Sequence, residues 1–519
     1  MRIPLMFLFV CISAVGGYCQ DGPGLVPIFD GKTLNGWDGD AKYWRVEDGA
    51  ITGESTAENP CKRNTFLIWR LGELDDFELR LRYRITAGNS GIQYRSIDRG
   101  DWKISGYQAD ISADGRWTGT NYHEHGRAIL AKRGQKVVVG DGRGNVEVLG
   151  SLGDAEELLA KIKPNDWNEY RIVAHGRRLI QEINGTVMSD VLDKGEKDFL
   201  RSGVLALQIH SGPPMKVQFK DIHLKRLALA DGEKKVVLVA GRKSHGFGSH
   251  EHRAGCMLLA KQLNANAPKV VATVYSGGWP KDPTAFDNAN SIVMYMDGGG
   301  RHPINKHLAE MGALMKKGIG LVCLHYAVEV PKGESGDRML DWTGGYFETW
   351  WSVNPHWKAE FKSMPDHPVA RGVKPFSIDD EWYYHMRFRP GMARVSPILT
   401  AIPPPSTLKR KDGAHSNNQH VRARRGMPEH VAWASEREDG GRGFGFTGGH
   451  FHWGWGHDDF RKLALNAIVW TAGLDVPQGG VQSPTPTVDE LLANQDYGVP
   501  KKFNRASLEA KLKAWNSPR

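Results

Sequence analysis

A change of period midway along the chain constrains its fold more than any other feature. Between Ile28 and Leu227 apolar side chains recur at every second position over short runs: 77–85, 91–96, 107–111, 136–139, 169–174, 179–183, 204–210 and 216–224. Such alternation puts apolar groups on one face and polar groups on the other, the pattern of half-buried antiparallel strands. Asn184-Gly185, between two of these runs, is hairpin-turn chemistry. Many short strands with little helical period predict an all-β sandwich of the jelly-roll type over 26–227, interrupted by one short helix at 154–163. From Lys234 the runs become continuous apolar blocks at 236–240, 270–275, 292–296 and 320–325, separated by helix-like segments at 253–263 and 305–317. Strands alternating with helices predict a parallel, doubly wound α/β sheet over 234–475. Its later strands are expected at 381–387, 431–435 and 443–447, its closing helix at 459–472, and an extended tail over 476–519.

The first nineteen residues combine Arg2, an apolar run from Ile3 to Val15 and small residues near Gly17, as a cleaved secretory leader does, so a periplasmic or secreted protein is expected. The run is too short to span a bilayer, and no later stretch approaches eighteen uninterrupted apolar residues, so no transmembrane segment is expected. Beyond the leader only Cys61, Cys256 and Cys323 remain, which excludes a disulfide scaffold. The formal charge of +9 is spread along the chain apart from a loop-like stretch at 409–425, which reads as a solvated insertion, and no nucleic-acid partner is expected. Seventeen tryptophans and 61 glycines fit aromatic platforms and tight turns for carbohydrate.

Three stretches in the first half share one design. Gln93-Tyr94-Arg95, Gln108-Ala109-Asp110 and Gln208-Ile209-His210 each place a glutamine two residues before an ionisable group. Side chains two apart in a strand share a face, so Tyr94, Ala109, Ile209 and their apolar neighbours are expected in the core. Three amides, a guanidinium, a carboxylate and an imidazole would then line a polar floor suited to a sugar. Arg80, Arg82 and Arg84 alternate with Leu79, Leu81 and Tyr83 and are expected to join that floor. Tyr107 would reach it only through a bulge. An inert solvated face has the same pattern. His123-Glu124-His125 is too small a donor set to define a metal site alone.

In the second half, ligands of a doubly wound sheet sit beyond the carboxyl ends of its strands. Those ends carry His245, His250 and His252, then His325, then His450, His452 and His457 in GGHFHWGWGHDD. Two readings compete. One is a divalent-metal site drawn from His250, His252, His325, His450 and His452. The other is a sugar pocket of His245, His250, His252, His325, Glu381, His450, His452 and Trp453, favoured by the Gly-Trp-Gly spacing. No cofactor is required by the sequence, and a divalent metal is the one it could take.

The segments IFDGKTLNGW, GNSGIQYRS, GYQADI and ALQIHSGPPMKVQFKDIHLKRL, within 26–227, resemble the 3-keto-glycoside lyase and hydratase family, also called the 3-keto-disaccharide hydrolase domain. The resemblance implies a concanavalin-like jelly roll, a saccharide substrate already oxidised at C3, and an upstream sugar 3-oxidoreductase as functional partner. A C3 ketone acidifies the C2 proton, so a base can remove it while the glycosidic oxygen leaves C1, and hydration completes a net hydrolysis. On this footing Asp110 and His210 are expected as base and acid in either order, Arg95 at the developing oxyanion, and Gln93, Gln108 and Gln208, with Tyr107, Arg80 and Arg82, as sugar binders. The chain departs from the family where the strand after Gly106-Tyr107 is followed by a His- and Trp-rich loop at 114–125. Alternatives are a carbohydrate-binding protein without turnover, or a hydrolase of unoxidised glucan using the Glu73-x-Asp75-x-x-Glu78 spacing.

Residues 236–241, GLVCLHYA, DEWYY and 443–450 resemble the trehalose-utilisation (ThuA-like) family, which implies a class I glutamine-amidotransferase-like fold over about 235–475. At the turn where an amidotransferase carries its cysteine this chain has His325, and Cys323 lies inside the apolar strand, so glutaminase chemistry is not expected.

Overall fold

The computed structural model describes residues 24–517, so the leader expected at 1–19 lies outside the described residues. The first half is a sandwich of two sheets. The ten-stranded sheet runs Val146–Ser151, Gln135–Val139, Thr186–Asp193, Arg178–Ile183, Asn168–His175, Phe77–Ala87, Met215–Arg226, Ala50–Ser55 and Trp44–Glu47, with Val26–Pro27 beside Met215–Arg226. The seven-stranded sheet runs Ala128–Ala131, Asn121–Glu124, Ile104–Ser112, Asn89–Asp98, Val204–Ile209, Thr65–Trp69 and Trp37–Asp38. Alternation decides what lies between them. In Phe77–Ala87 the residues Leu79, Leu81, Tyr83 and Ile85 are buried while Glu78, Arg80, Arg82 and Arg84 are half-exposed. Ile92, Tyr94, Tyr107, Ala109, Leu205 and Leu207 meet them from the opposite sheet. Each such large apolar side chain contributes about 1.5–3 kcal/mol on burial. Asn184 and Gly185 both take positive φ, +48° and +77°, as a two-residue hairpin turn of the primed type requires. The short helix is Ala155–Leu159, capped by the Asp154 carboxylate on the amides of Glu156 and Glu157.

The second half is a seven-stranded sheet in the order Val270–Tyr275, Lys234–Ala240, Ala289–Tyr295, Gly320–Leu324, Arg442–Phe446, Glu429–Glu436 and Val395–Ala401. The first five strands are parallel, and the last two continue it antiparallel. Val236, Leu238 and Ala240 pack with residues of His252–Asn266 and Asp458–Thr471 on one side. Val237 and Val239 pack with Leu308–Met315 and Glu334–Thr343 on the other, which makes the sheet doubly wound.

Two expectations are corrected. Residues 381–387 do not form one strand: Phe376–Asp380 pairs with Trp357–Phe361, Arg387–Phe388 pairs with Gly345–Tyr346, and between them only Tyr384 makes an isolated bridge, to Val353, among the described residues. Asp380 ends the first of these by turning its carboxylate onto the amides of Gly449 and His450. The tail is not merely extended. Val488–Leu492 and Arg505–Asn516 fold back, and Leu491, Leu508 and Leu512 are buried in the second domain's core.

Two buried ion pairs join the halves, Lys235 Nζ to Asp75 Oδ2 at 2.5 Å and Arg226 Nη2 to Asp282 Oδ2 at 2.8 Å, beside a half-buried one, Arg201 Nη2 to Glu233 Oε2 at 2.6 Å. A cleft of about 700 Å³ lies between them, lined by Trp69, Arg70, Glu73, Arg253, Tyr275 and Lys281; of the candidate site residues singled out in the sequence only Glu73, from the glucan-hydrolase spacing, opens into it. Among the described residues no helix is long and apolar enough to cross a membrane.

Candidate functional sites

The three glutamines meet on the face of the seven-stranded sheet that points away from the sandwich core. Strand register sets Gln93 opposite Gln108, and Gln208 lies on the other neighbour of Asn89–Asp98. Gln93 Nε2 donates to Gln108 Oε1 at 2.6 Å, and Gln108 Nε2 donates to Asp110 Oδ1 at 2.6 Å and to Gln208 Oε1 at 3.5 Å. Ser96 Oγ donates to Gln93 Oε1 at 2.8 Å. Gly91 makes room for this ladder, since a Cβ there would stand 2.5 Å from the Gln108 side chain. Every member is buried, and Gln208 Nε2 has no hydrogen-bond partner among the described residues.

Asp110 ends the ladder. Burial pushes its carboxyl up to about 8, with the charge of Glu124 adding to the effect and the Gln108 hydrogen bond opposing it. Glu124 Oε1 accepts from Asn64 Nδ2 at 2.9 Å, and Asn64 Oδ1 accepts from the Ser211 amide at 2.9 Å. Sequence reasoning left both Glu124 and Asn64 out of the site, although Glu124 stands in the His-Glu-His stretch. The pairing of Asn121–Glu124 with Ile104–Ser112 sets Glu124 opposite Gly106, on the strand that carries Asp110, close enough for its charge to act on that carboxyl.

Five expected members are elsewhere. Arg95 takes φ +46° at a break in the strand register, which reverses the alternation and turns the guanidinium inward. It donates to the carbonyls of Asp75 at 2.6 Å and Gly176 at 2.7 Å and to Asp76 Oδ1 at 2.5 Å, fully buried, and so serves packing. Tyr107 stays in the core, stacked on Tyr94, with its hydroxyl donating to Asp193 Oδ2 at 2.6 Å. Arg80 and Arg82 belong to the other sheet, where Arg80 pairs with Glu78 at 2.7 Å and Arg82 with Asp221 at 3.7 Å. His210 lies just past Val204–Ile209, exposed, with Nδ1 donating to the Ser211 carbonyl at 2.6 Å. It lines an open cleft of about 410 Å³ with Asn89, Asp114 and Trp117, and Asp110 does not. The glucanase spacing forms no acid pair, because Asp75 is taken up by Lys235 and Glu78 by Arg80 and Arg171.

In the second domain four donor atoms converge beyond the strand ends: His250 Nε2, His325 Nε2, His450 Nδ1 and Glu381 Oε2, all within 4.8 Å of one another. His250 Nε2 is 3.0 Å from His450 Nδ1 and 3.1 Å from His325 Nε2. Glu381 Oε2 is 3.1 Å from His450 Nδ1 and 3.6 Å from His325 Nε2. Behind them His250 Nδ1 meets Asp297 Oδ1 at 2.9 Å and His325 Nδ1 meets the Thr447 carbonyl at 2.8 Å. Burial lowers the pKa of both His250 and His325, and neighbouring imidazoles lower it further. His325 occupies the sharp turn after Gly320–Leu324 at φ +52°, and His250 sits at φ +50°. Cys323 is fully buried within the strand, where burial pushes its thiol up, so no nucleophilic cysteine stands at that turn. The His450 loop is held by Asp380, which accepts the amides of Gly449, His450 and Phe451 and whose carboxyl burial pushes up to about 6.

The remaining expected members fall outside this set. His252 opens the helix His252–Asn266 and turns Nδ1 to the Arg242 carbonyl at 3.2 Å. His452 is fully buried in the turn His452–Gly456. His245 is exposed and stacks on His250 at 3.5 Å, at the rim. Trp453 is no free platform: it packs between Phe247 and Phe503, with centroids at 5.5 and 5.7 Å. Sequence reasoning missed Tyr383, whose hydroxyl is 3.2 Å from His325 Nε2, and Asp297 as a partner of His250. It also missed His415: the 409–425 insertion carries this imidazole to buried Glu329, Nε2 to Oε1 at 2.8 Å, and the carboxylate raises the histidine's pKa.

Comparison with known proteins follows the same division. Residues 24–225 match the family model described as the 3-keto-alpha-glucoside-1,2-lyase-like domain, and residues 236–471 match the model described as trehalose utilisation (ThuA). The chain therefore joins a domain of the first family to one of the second. A curated relative, a 3-keto-disaccharide hydrolase of Bacteroides thetaiotaomicron, is 38% identical over 82 residues, 14% of this chain and 28% of the relative, so the match spans under a third of that protein. A solved putative glycosyl hydrolase from Parabacteroides distasonis is 21% identical, covering 39% of this chain and 94% of the other at a TM-score of 0.28. A solved putative ThuA-like protein from Bacteroides uniformis is 16% identical, covering 48% of this chain and 96% of the other at a TM-score of 0.32.

Proposed function

We propose, for a chain that joins these two domains, that the first processes 3-keto-glycosides by elimination across C1 and C2 followed by hydration, a net hydrolysis of a 3-keto-glucoside. One observation carries the reading: Asp110, a carboxyl that burial pushes up to about 8, ends an amide ladder in which the buried Gln208 Nε2 has no partner among the described residues. A carboxyl held near neutrality is matched to moving a proton at physiological pH, which is worth about 10²–10⁴-fold in rate. Asp110 as carboxylate takes the C2 proton, and the C–H electron pair passes into the C3 ketone as an enolate. The Gln208 amide donates to that oxyanion, the place first expected for Arg95. Collapse of the enolate forms the C1–C2 double bond and expels the glycosidic oxygen, which His210 protonates. Addition of water at C1 then gives the free 3-keto sugar. Gln93 and Gln108 hold sugar hydroxyls and keep Asp110 in place.

An upstream sugar 3-oxidoreductase supplies the ketone in this scheme, and the leader expected at 1–19 supports a periplasmic or secreted site. The second domain is a class I glutamine-amidotransferase-like fold without a nucleophile, contributing a sugar- or metal-binding centre. The reading is tested by assaying Asp110→Asn and His210→Ala on a 3-keto-glucoside. A loss of at least about a hundredfold for Asp110→Asn is expected; near wild-type rates for both variants overturn the assignment.

A further inference from the structure

We propose that His250, His325, His450 and Glu381 hold a divalent transition-metal cation of the zinc class.

Hydrogen-bond direction carries the argument. A carbonyl only accepts, so the contact between His325 Nδ1 and the Thr447 carbonyl at 2.8 Å places the imidazole proton on Nδ1. The contact between His250 Nδ1 and Asp297 Oδ1 at 2.9 Å places that ring's proton on Nδ1 in the same way. Each neutral ring then presents a lone pair at Nε2, and those two atoms face each other at 3.1 Å in a buried site. A carboxylate oxygen, Glu381 Oε2, stands 3.6 Å from one of them. The Tyr383 hydroxyl at 3.2 Å from His325 Nε2 relieves part of this crowding, and a cation among the converging lone pairs and carboxylate would satisfy them together.

The spacing fits one. Metal–nitrogen bonds of about 2.0–2.1 Å put neighbouring donors about 3.0 Å apart around an octahedral ion and about 3.4 Å apart around a tetrahedral one. Four of the six separations among these donors are 3.0, 3.1, 3.1 and 3.6 Å, and all six lie within 4.8 Å. Three imidazoles and one carboxylate are the donor set of a borderline cation rather than of calcium or magnesium. The outer contacts are those of a metal site, with a carboxylate behind one histidine and a carbonyl behind another. Asp380 fixes the third ligand's loop through three amides. The exposed His356 stands 3.7 Å from Glu381 Oε1 at the edge of the cluster. A second grouping, His245, His250 and Asp297, shares His250. An ion there would have to displace the proton that His250 Nδ1 already gives to Asp297.

The test uses the full chain, stripped with a chelator and titrated with Co²⁺ and then Zn²⁺. The expected result is one equivalent of Co²⁺ bound with a visible ligand-field band, displaced by one equivalent of Zn²⁺, and a higher melting temperature with Zn²⁺. Glu381→Gln and His450→Gln each weaken Co²⁺ binding at least a hundredfold, Asp297→Asn weakens it about 10–100-fold, and His245→Ala leaves it unchanged. Far-UV circular dichroism confirms that each variant is folded, and if one histidine variant fails to fold the near-isosteric Glu381→Gln decides. Native wild-type protein that binds neither ion overturns the proposal, as does binding lost in His245→Ala but kept in Glu381→Gln.

Discussion

Replacing Asp110 with asparagine should remove a pH-dependent penalty that the wild-type fold carries. The asparagine amide keeps an oxygen that can accept from Gln108 Nε2, as Asp110 Oδ1 does at 2.6 Å, so the ladder survives and only the ionisation is lost. The carboxyl's ordinary value is 3.8 and burial pushes it up to about 8. Below pH 4 both folded and unfolded chains hold the proton, and Asp110 costs nothing. Between pH 4 and 8 the unfolded chain has released its proton while the folded chain retains it, so stability falls as pH rises, by about 1.4 kcal/mol per unit. Over roughly four units the penalty reaches on the order of 5 kcal/mol at pH 8. The assay is urea unfolding of the first domain's transition at half-unit steps from pH 4.5 to 8.5, wild type against Asp110→Asn. The advantage of the variant should be small at pH 4.5, widen steadily, and level off above pH 8, while activity on a 3-keto-glucoside is lost throughout. Parallel stability curves for the two proteins across the whole range would refute the reasoning, since Asp110 would then ionise as an ordinary carboxylate.

Three further outcomes are expected. Arg95→Met removes one of the two guanidinium partners of buried Asp76, leaving Arg201 at 2.8 Å and the amides of Gly176 and Ala230, and should cost about 3 kcal/mol of first-domain stability, read by the same denaturation. Gly91→Ala drives a methyl into the Gln108 side chain and should raise KM for the 3-keto substrate several-fold, with the melting temperature changed by only a few degrees. Trp453→Ala removes the stack on Phe503 and should speed proteolytic cleavage within 494–517, whereas a change in sugar affinity by calorimetry with no change in cleavage would restore Trp453 as a platform.

The two architectures were legible because period is local: alternation in 77–85 and continuous apolar blocks from 236 onward each report a face buried on one side or on both. What alternation cannot report is which sheet a strand joins. Arg80 and Arg82 have the right phase for a polar face but stand on the ten-stranded sheet, across the core from the glutamines. Arg95 failed for another reason, since a single residue at φ +46° reverses the phase and nothing in Gln-Tyr-Arg-Ser announces it. The histidine centre was readable from topology, because strand ends of a doubly wound sheet converge. Its membership was not. His252 and His452 sit two residues from true members, and a helix start or a tight turn points them away. Trp453 was misread because its partner Phe503 comes from a tail that folds back fifty residues later.

The most direct test of the central claim is product analysis of the full-length protein incubated separately with 3-keto-trehalose and with trehalose. The account predicts free 3-keto-glucose, with the C1–C2 enone as intermediate, from the oxidised sugar and nothing from the unoxidised one. Release of glucose from trehalose, or binding of 3-keto-trehalose with no product, would contradict it.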